Sequence, residues 1–206
     1  MIHRRNFLSS VAAIGTAASA LLAAPRSALA QGTDRASAFV KTVGDKLVSI
    51  VNNPGSASEK RAAMTQVINS AVDVDGIGRF CLGRFWRQSS EEQQKQYLEL
   101  FHEVLITNIT SKLGEYKGVT FTMGRSRMQD EEAAVSTTVI RPNNPPTAVD
   151  WIISNPSANP KIIDVVAEGT SLRLTQRSDY ASYLAHNSNN VDALITAMRQ
   201  QVSQKG

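Results

Sequence analysis

The spacing of apolar residues changes twice along this chain, and these changes limit the folds that it can adopt. Between Phe39 and Leu113 apolar residues recur every three or four positions, as on one face of a helix. From Val119 to Ala167 they alternate with polar residues, as in strands with one buried face. Helical spacing returns after Ser178. The order predicts an α+β domain, in which a curved antiparallel sheet of about four to five strands packs against several helices.

Capping residues, glycine and proline set the limits of four helices before the strands. The first begins at Thr33 and Asp34 and ends at the turn 52–55, and the second runs from about Ser58 to Ala71. A short aromatic helix is predicted over 77–86, with Asp73 and Asp75 as caps. A long helix begins near position 90, where Ser89 with Glu92 and Ser90 with Gln93 both fit a capping box, and it ends at Gly114 in a left-handed C-cap.

Four strands and two further helices are predicted after Gly118. The strands begin at Val119 and near Ala133, and continue over 148–154 and 162–167. Gly169 is expected to form a bulge or bend before residues 171–174. The helices cover 178–185 and 190–202, and the tail after Gln201 is expected to be flexible.

The first thirty residues are typical of an export signal that is removed. Arg4 and Arg5 precede Phe7 and Leu8, an uncharged apolar run follows over 11–24, and small residues at 27–30 suit a signal peptidase. The paired arginines favour the twin-arginine route, with the Sec route as the alternative. Residues 31–206 then form a single domain, and no second hydrophobic span follows.

Net charge gives no indication of nucleic-acid binding, and cysteine content excludes a domain held by internal disulfides. The whole chain has a formal net charge of +4, but Arg4, Arg5 and Arg26 leave with the signal, so the remaining +1 does not indicate a nucleic-acid-binding protein. Cys81 is the single cysteine, so no internal disulfide can form. Its apolar neighbours predict a buried structural thiol.

The apolar face of the long helix is wider than one packed seam requires. Leu98, Phe101, Leu105, Ile109 and Leu113 form a stripe that Tyr97, Val104 and Ile106 broaden. Opposite the sheet, such a face can close into a solid core or leave an apolar cavity. Pattern alone does not separate these outcomes.

The polar residues predict neither catalysis nor a metal site. Asp164 and Glu168 resemble a carboxylate pair, but we expect a structural role, for instance in binding Arg177 or backbone amides. His102 and His186 lack metal-ligand spacing. Thr137 is the only evident polar residue on the inner face of the central strand.

Three arginines lie on adjacent predicted strands, namely Arg125, Arg127 and Arg141, with Asp150 on the next. Cross-strand charge pairing on a solvated face is expected. A docking surface for a membrane partner is the weaker alternative.

Several motifs resemble the MlaC family of periplasmic lipid-binding proteins, the toluene-tolerance auxiliary components, including its hopanoid-associated branch. They begin with Leu82-Gly83-Arg84-Phe85-Trp86-Arg87 and Ser-Ser-Glu-Glu-Gln-Gln, and continue with Val149-Asp150-Trp151, Ile163-Asp164-Val165, Glu168-Gly169-Thr170-Ser171-Leu172 and Arg177-Ser178-Asp179-Tyr180. The motifs occur in the family's order and span about residues 34–198.

The resemblance implies a periplasmic shuttle without cofactor, metal or enzymatic activity. It would hold acyl chains between sheet and helices, and carry phospholipid between an outer-membrane lipoprotein–porin complex and an inner-membrane ABC transporter with its MCE-domain subunit. A hopanoid or other polycyclic lipid is the second ligand, and a periplasmic chaperone for apolar segments is a further alternative. The candidate lipid-binding residues are Phe80, Phe85, Trp86, Tyr97, Phe101, Leu105, Ile109, Phe121, Val135, Val139, Val149 and Trp151.

Overall fold

The computed structural model describes residues 24–205, with side-chain surroundings from residue 31 onward. Within these residues the chain forms six α-helices and five strands. The helices are α1 Ala24–Asn52, α2 Ala57–Ala71, α3 Val74–Leu82, α4 Glu91–Thr110, α5 Leu172–His186 and α6 Val191–Lys205. The strands are β1 Thr120–Gln129, β2 Glu132–Ile140, β3 Thr147–Ser154, β4 Lys161–Ala167 and β5 Thr170–Ser171. Most of the predicted export signal lies outside the described residues, so it stays a prediction.

The five strands form one open antiparallel sheet in the order β1-β2-β3-β4-β5, and the predicted α+β fold is confirmed. Across its inner face Phe121 lies opposite Val139, and Val135 lies opposite Trp151, which lies opposite Val165. The register shifts between Met123 and Ser126 and again between Ile152 and Ile153. Such irregularities bend strands and increase their twist, so the sheet curves around the helices that cover it.

Local hydrogen bonds explain where the well-predicted helices begin. The Ser90 hydroxyl accepts from the Gln93 amide at 3.2 Å, and the Gln93 side chain accepts from the Ser90 amide at 3.0 Å. The same reciprocal pair forms between Ser56 and Glu59 at the start of α2. The Glu59 carboxylate accepts hydrogen bonds from the backbone and the side chain of Ser56, and these lower the pKa of Glu59. The capping box at Ser90 is confirmed, whereas Ser89 lies outside the helix.

The prediction that Thr33 and Asp34 begin the first helix is wrong. Helix α1 runs through them from Ala24. Alanine-rich sequence favours helix, and the single glycine in this region lies at a close packing contact. A Cβ on Gly32 would lie 3.2 Å from the Ser157 hydroxyl, so the helix approaches the β3–β4 loop closely there. Arg35 also donates a hydrogen bond to the Ser157 carbonyl.

Two further helix limits differ from prediction, and glycine geometry explains the first of them. The short aromatic helix is interrupted after Leu82, where Gly83 has φ 61° and ψ −125°, and a 3₁₀ helix follows over Gly83–Gln88. Helix α4 ends at Thr110 instead of Leu113, and a 3₁₀ turn covers Leu113–Tyr116. Gly114 is not left-handed; Gly118, with φ 81°, has the positive dihedral in this region.

The last part of the chain is more helical than predicted. Gly169 forms no bulge; with Glu168 it makes the two-residue turn of a hairpin, both with positive φ. Helix α5 begins at Leu172, six residues before the predicted start, and the Ser171 hydroxyl caps it by accepting from the Leu174 amide. Helix α6 continues to Lys205, so the predicted flexible tail after Gln201 is helical within the described residues.

The helices share a core centred on three aromatic rings. Tyr97, Phe101 and Tyr180 have ring centroids 5.9–6.4 Å apart, in tilted or edge-on arrangements. The Tyr97 hydroxyl donates to the Gly78 carbonyl at 2.9 Å, so its one polar group is satisfied while the residue is fully buried. Burial raises the pKa of both tyrosines. A second core lies between α1, α2 and the sheet.

Replacement of Gly83 by alanine tests the break after α3. A side chain is strained at this positive φ, and its Cβ would meet the Arg177 guanidinium at 3.1 Å. We expect Gly83→Ala to lower the free energy of unfolding by about 1–3 kcal/mol in urea denaturation. Gly114→Ala is the matched control, because a Cβ there meets nothing within 4 Å and the backbone is ordinary; its effect should stay within about 0.5 kcal/mol. Equal effects of the two substitutions would contradict this account.

Candidate functional site

A cavity of about 650 Å³ lies between the inner face of the sheet and the helices that cover it. Helices α1 and α2 form one wall, α4 forms another, and strands β1–β4 form the floor. Helix α5 borders the cavity at its first turns. The helical apolar lining includes Val40, Val43, Leu47, Val48, Val51, Met64, Val67, Ile68, Ile77, Phe101, Val104, Leu105, Ile109 and Leu113. The cavity is therefore an apolar space, of the size that accommodates small-molecule ligands.

The cavity lies beside a region where α1 packs closely on the sheet. Ala36 of α1 and Ala133 of β2 are both completely buried, so two small residues bring the elements together. Further along α1, a Cβ on Gly44 would lie 2.5 Å from the Phe121 ring. The ring thus rests on the bare backbone of the helix, and this sets the separation between α1 and β1. Beyond this contact the apolar faces of α4 and the sheet remain apart.

Six of the twelve candidate lipid-binding residues line this cavity. They are Phe101, Leu105 and Ile109 on α4, and Phe121, Val139 and Trp151 on the sheet. The α4 residues follow each other at intervals of four, so they form the stripe predicted from the sequence. This stripe faces the strand residues across the cavity. The wide helical face is therefore explained by an open space in front of it.

The other six candidates lie elsewhere, and four of them, Tyr97, Phe85, Val135 and Val149, are buried in the protein's own core. Tyr97 belongs to the aromatic core between helices, and Val135 is packed beneath α1 with no exposed surface. Val149 is buried on the inner face of the sheet but does not line the cavity. Val135 and Trp151 are opposite each other in the register and share one face of the sheet. They differ in what covers them, because α1 packs on Val135 whereas Trp151 borders the cavity.

The three aromatic candidates before α4, Phe80, Phe85 and Trp86, contact arginine side chains instead of lining the cavity, and Phe85 does so from within the helical core. The guanidinium of Arg79 lies 5.3 Å from the Trp86 ring centroid, and that of Arg84 lies 4.8 Å from Phe85. Phe80 carries two guanidinium groups at 4.8 Å each. These three aromatic residues therefore organise cations at the outer surface of α3 and the 3₁₀ helix that follows.

Sequence reasoning missed the contribution of α1 and α2 to the cavity wall. Val43 and Leu47 on α1, and Met64 and Ile68 on α2, have the helical spacing of buried residues. That spacing predicts a covered face but does not distinguish a face covered by protein from one that borders a cavity. The structure shows that these residues do both, because Val43 and Met64 belong to cores and also line the space.

The one indole in the cavity wall has its polar atom satisfied inside the sheet. Trp151 Nε1 donates to Thr137 Oγ1 at 2.9 Å, and Thr137 Oγ1 donates to the Val149 carbonyl at 3.2 Å. Thr137, the polar residue noted on the inner face, is thus fully occupied by this chain of hydrogen bonds. At Trp151 the sheet wall therefore presents mainly hydrocarbon to the cavity.

Asp164 connects the sheet to the first turn of α5. Its buried carboxylate accepts hydrogen bonds from the Val165 amide at 2.8 Å, from the Arg173 amide at 3.1 Å and from the Ser171 hydroxyl. Arg173 Nε lies 3.5 Å from the same group. The expected structural role is observed, with backbone amides and Arg173 in place of Arg177. Glu168 is exposed in the hairpin turn, so the two carboxylates do not form a pair.

The rim of the cavity is polar and exposed, in contrast with its interior. It consists of the end of α4 with the 3₁₀ turn after it, and of the first turns of α5. Lys112 and Asp179 lie there, and their side chains make no hydrogen bond or ion pair with other described residues. Exposed apolar residues at the rim are Ile109, Tyr116 and Leu172. An amphiphile with an apolar body and a charged end would match this arrangement.

Most of the other polar candidates have structural partners. Arg127 pairs with Asp150 across strands at 3.2 Å, as predicted, whereas Arg141 stacks on Tyr116 with 5.1 Å to the ring centroid. His102 lies 2.6 Å from the side-chain oxygen of Asn69. Among the described residues, no group of three His, Cys, Asp or Glu side chains could hold a metal ion. No described helix is long and apolar enough to cross a membrane.

Comparisons with known proteins agree with this architecture. A model of the MlaC protein family matches residues 41–200. The toluene tolerance protein ttg2D of Pseudomonas putida is 23% identical over 143 residues, covering 68% of this chain and 66% of the relative, just under two thirds of its length. A phospholipid-binding protein from Ralstonia solanacearum, solved in complex with a phospholipid, has a TM-score of 0.71 at 24% identity, over 82% of this chain and 97% of the other. This structural likeness shows a shared fold.

The thiol of Cys81 lines the cavity and tests whether its surroundings are dry. Burial, with a smaller contribution from the Asp164 charge, raises its pKa from 9.0 to about 12. Because the thiolate is the reactive form, its fraction at pH 8 should fall about a thousandfold. We expect iodoacetamide to alkylate the native protein at least 100-fold more slowly than the urea-unfolded protein, followed by mass spectrometry. Comparable rates in the two states would show that water reaches the thiol freely.

Proposed function

The chain belongs to the MlaC family, and on that premise we propose that it is a periplasmic carrier whose cavity holds the acyl chains of a phospholipid. The observation that supports this most directly is the apolar cavity itself, with Phe101, Leu105 and Ile109 facing Phe121, Val139 and Trp151. The phospholipid in the related Ralstonia structure is consistent with the proposal. No catalytic group is needed for such a role, and the proposal includes none.

The energetics explain why a carrier needs a space of this kind. Each methylene transferred from water to an apolar surrounding contributes about 0.8 kcal/mol, so a chain of roughly fifteen carbons needs about 12 kcal/mol of compensating contact to leave a membrane. Scattered surface patches do not supply contact on every side of a chain. A pre-formed cavity with apolar walls does, because both its helical and its strand walls contact the same chain.

The polarity of the rim orients the ligand. Acyl chains would occupy the interior, where Trp151 and Thr137 already satisfy each other's hydrogen bonds. The headgroup would lie at the exposed rim, within reach of Lys112 for a phosphate and of Asp179 for a cationic group. Placing the headgroup inside would leave its charges without partners in an apolar surrounding, which is far more costly than leaving them in water.

The proposed role is transport between two membranes. An export signal in residues 1–30 would deliver the protein to the periplasm. There it would exchange phospholipid with an outer-membrane lipoprotein–porin complex and with an inner-membrane ABC transporter bearing an MCE-domain subunit. A hopanoid would also fit an apolar cavity. Mass spectrometry of the extracted lipid distinguishes a hopanoid from a phospholipid. A chaperone for apolar segments would instead carry no lipid and would suppress aggregation of unfolded outer-membrane proteins.

Filling the cavity tests the proposed binding site. Leu105→Trp and Val139→Trp add large side chains at two facing positions that line the space. We expect each variant to lose at least three quarters of the phospholipid that co-purifies with the unaltered protein. Native mass spectrometry measures the occupied fraction, and solvent extraction followed by mass spectrometry identifies the lipid as phospholipid or hopanoid.

The matched control is Ile140→Trp. Ile140 is 38% exposed next to Val139 in β2, and it does not line the cavity, so this substitution adds the same ring outside the site. The control should keep its lipid, and circular dichroism should show that all three variants are folded. Full lipid occupancy in both cavity variants would place the ligand elsewhere and reject the proposal.

A further inference from the structure

Five arginines lie on α3, the 3₁₀ helix after it and α5, and α3 packs against both of the other elements. We call Arg79, Arg84, Arg87, Arg173 and Arg177 the arginine surface. The two segments that carry them, Val74–Gln88 and Leu172–His186, contain five arginines and two aspartates. This surface includes the Leu82–Arg87 motif, whose aromatic residues do not line the cavity. It therefore needs an explanation of its own.

Contacts between α3 and α5 hold two of the arginines, Arg173 and Arg177, close together. Arg177 Nη1 donates to the Phe80 carbonyl at 3.2 Å, and its guanidinium covers Gly83. The guanidinium groups of Arg173 and Arg177 both lie 4.8 Å from the Phe80 ring centroid. Two like charges thus share one aromatic ring. Clustered arginines are more commonly neutralised by neighbouring acidic side chains.

Aromatic stacking fixes these cations without neutralising them. Four of the five guanidinium groups lie over a ring, on Phe80, Phe85 or Trp86. Arg173 alone forms an ion pair with a described residue, which is Asp164. A stacked guanidinium keeps its full charge and most of its hydrogen-bond donors. The arginine surface is thus a positive surface that is complementary to an anionic partner.

Exposed leucines interrupt this positive surface. Leu172 and Leu174 flank Arg173 in the first turn of α5, with 52% and 56% of their surfaces exposed. They are the most exposed large apolar side chains in the described part of the chain. Leu172 also lines the cavity, so the exposed leucines adjoin the cavity rim. Apolar side chains between arginines are typical of surfaces that enter the interface of a membrane.

We propose that the arginine surface docks on an anionic lipid bilayer. The guanidinium groups contact lipid phosphates, and Leu172 and Leu174 enter the boundary between headgroups and acyl chains. Docking in this orientation turns the rim at α5 toward the membrane. An acidic protein would satisfy the arginines but would leave the exposed leucines unexplained, so the bilayer is the favoured partner. This activity is additional to the proposed lipid carriage and does not depend on an occupied cavity.

Vesicle co-sedimentation tests the docking surface with the purified protein. The probes are vesicles of phosphatidylcholine alone and vesicles of equal parts phosphatidylcholine and phosphatidylglycerol. We expect binding to the anionic vesicles only, weakening as salt is added. The double substitution Arg84→Glu/Arg87→Glu should weaken that binding at least about 30-fold, because each basic residue near an anionic surface contributes about fivefold. Leu174→Ser should weaken it about three- to tenfold.

The matched control reverses two charges elsewhere, in Lys46→Glu/Arg125→Glu. Lys46 lies on α1 and Arg125 on β1, and both are exposed. This control should bind within about twofold of the unaltered protein. All variants should keep the same co-purifying lipid, which separates docking from carriage. The proposal is overturned if the unaltered protein ignores anionic vesicles, binds neutral ones equally well, or loses binding equally in the control. If the unaltered protein bound an immobilised acidic protein but no vesicles, the proposal would likewise be rejected.

Discussion

The close packing of α1 on one part of the sheet determines where the protein can be hollow. Ala36 and Ala133 bring the helix and the sheet together, and Phe121 rests on the backbone of Gly44. Because these contacts fix the position of α1, the helix covers Val135 and leaves Trp151 facing an open space. Dense packing at one end therefore permits the absence of packing beside it. A uniformly loose interior would collapse, since apolar surfaces without neighbours gain free energy by closing on each other.

A second fixed connection places α5 at the border of that space. The carboxylate of Asp164 in β4 binds the amide and side chain of Arg173 and the hydroxyl of Ser171. The sheet thereby determines where α5 begins and brings Arg173 and Leu172 to the rim. The same helix turn carries part of the arginine surface. One buried carboxylate thus links the wall of the cavity with the outer surface that we propose to contact membranes.

Sequence predicted the features that depend on near neighbours and failed for those that depend on distant ones. The capping box of Ser90 and Gln93 was predictable because both partners lie within one turn. The start of α5 was missed although its Ser171 cap is local, because the contacts of Arg173 that also position this turn come from Asp164 in β4. Among the residues predicted to bind lipid, Phe101 and Trp151 line the cavity, whereas Val135 does not, although it shares a sheet face with Trp151. Periodicity identifies a buried face, but tertiary packing decides whether protein or empty space covers each residue.

The hydrogen bond between the Trp151 indole and Thr137 has an optical consequence. The protein has two tryptophans, and only Trp151 lies in the cavity wall. Its ring is fixed within the sheet, so its emission responds to whatever medium fills the space in front of it. Trp86 stacks under Arg79, outside that space. The molecule therefore contains its own fluorophore for following the loading and emptying of the cavity in real time, without any attached dye.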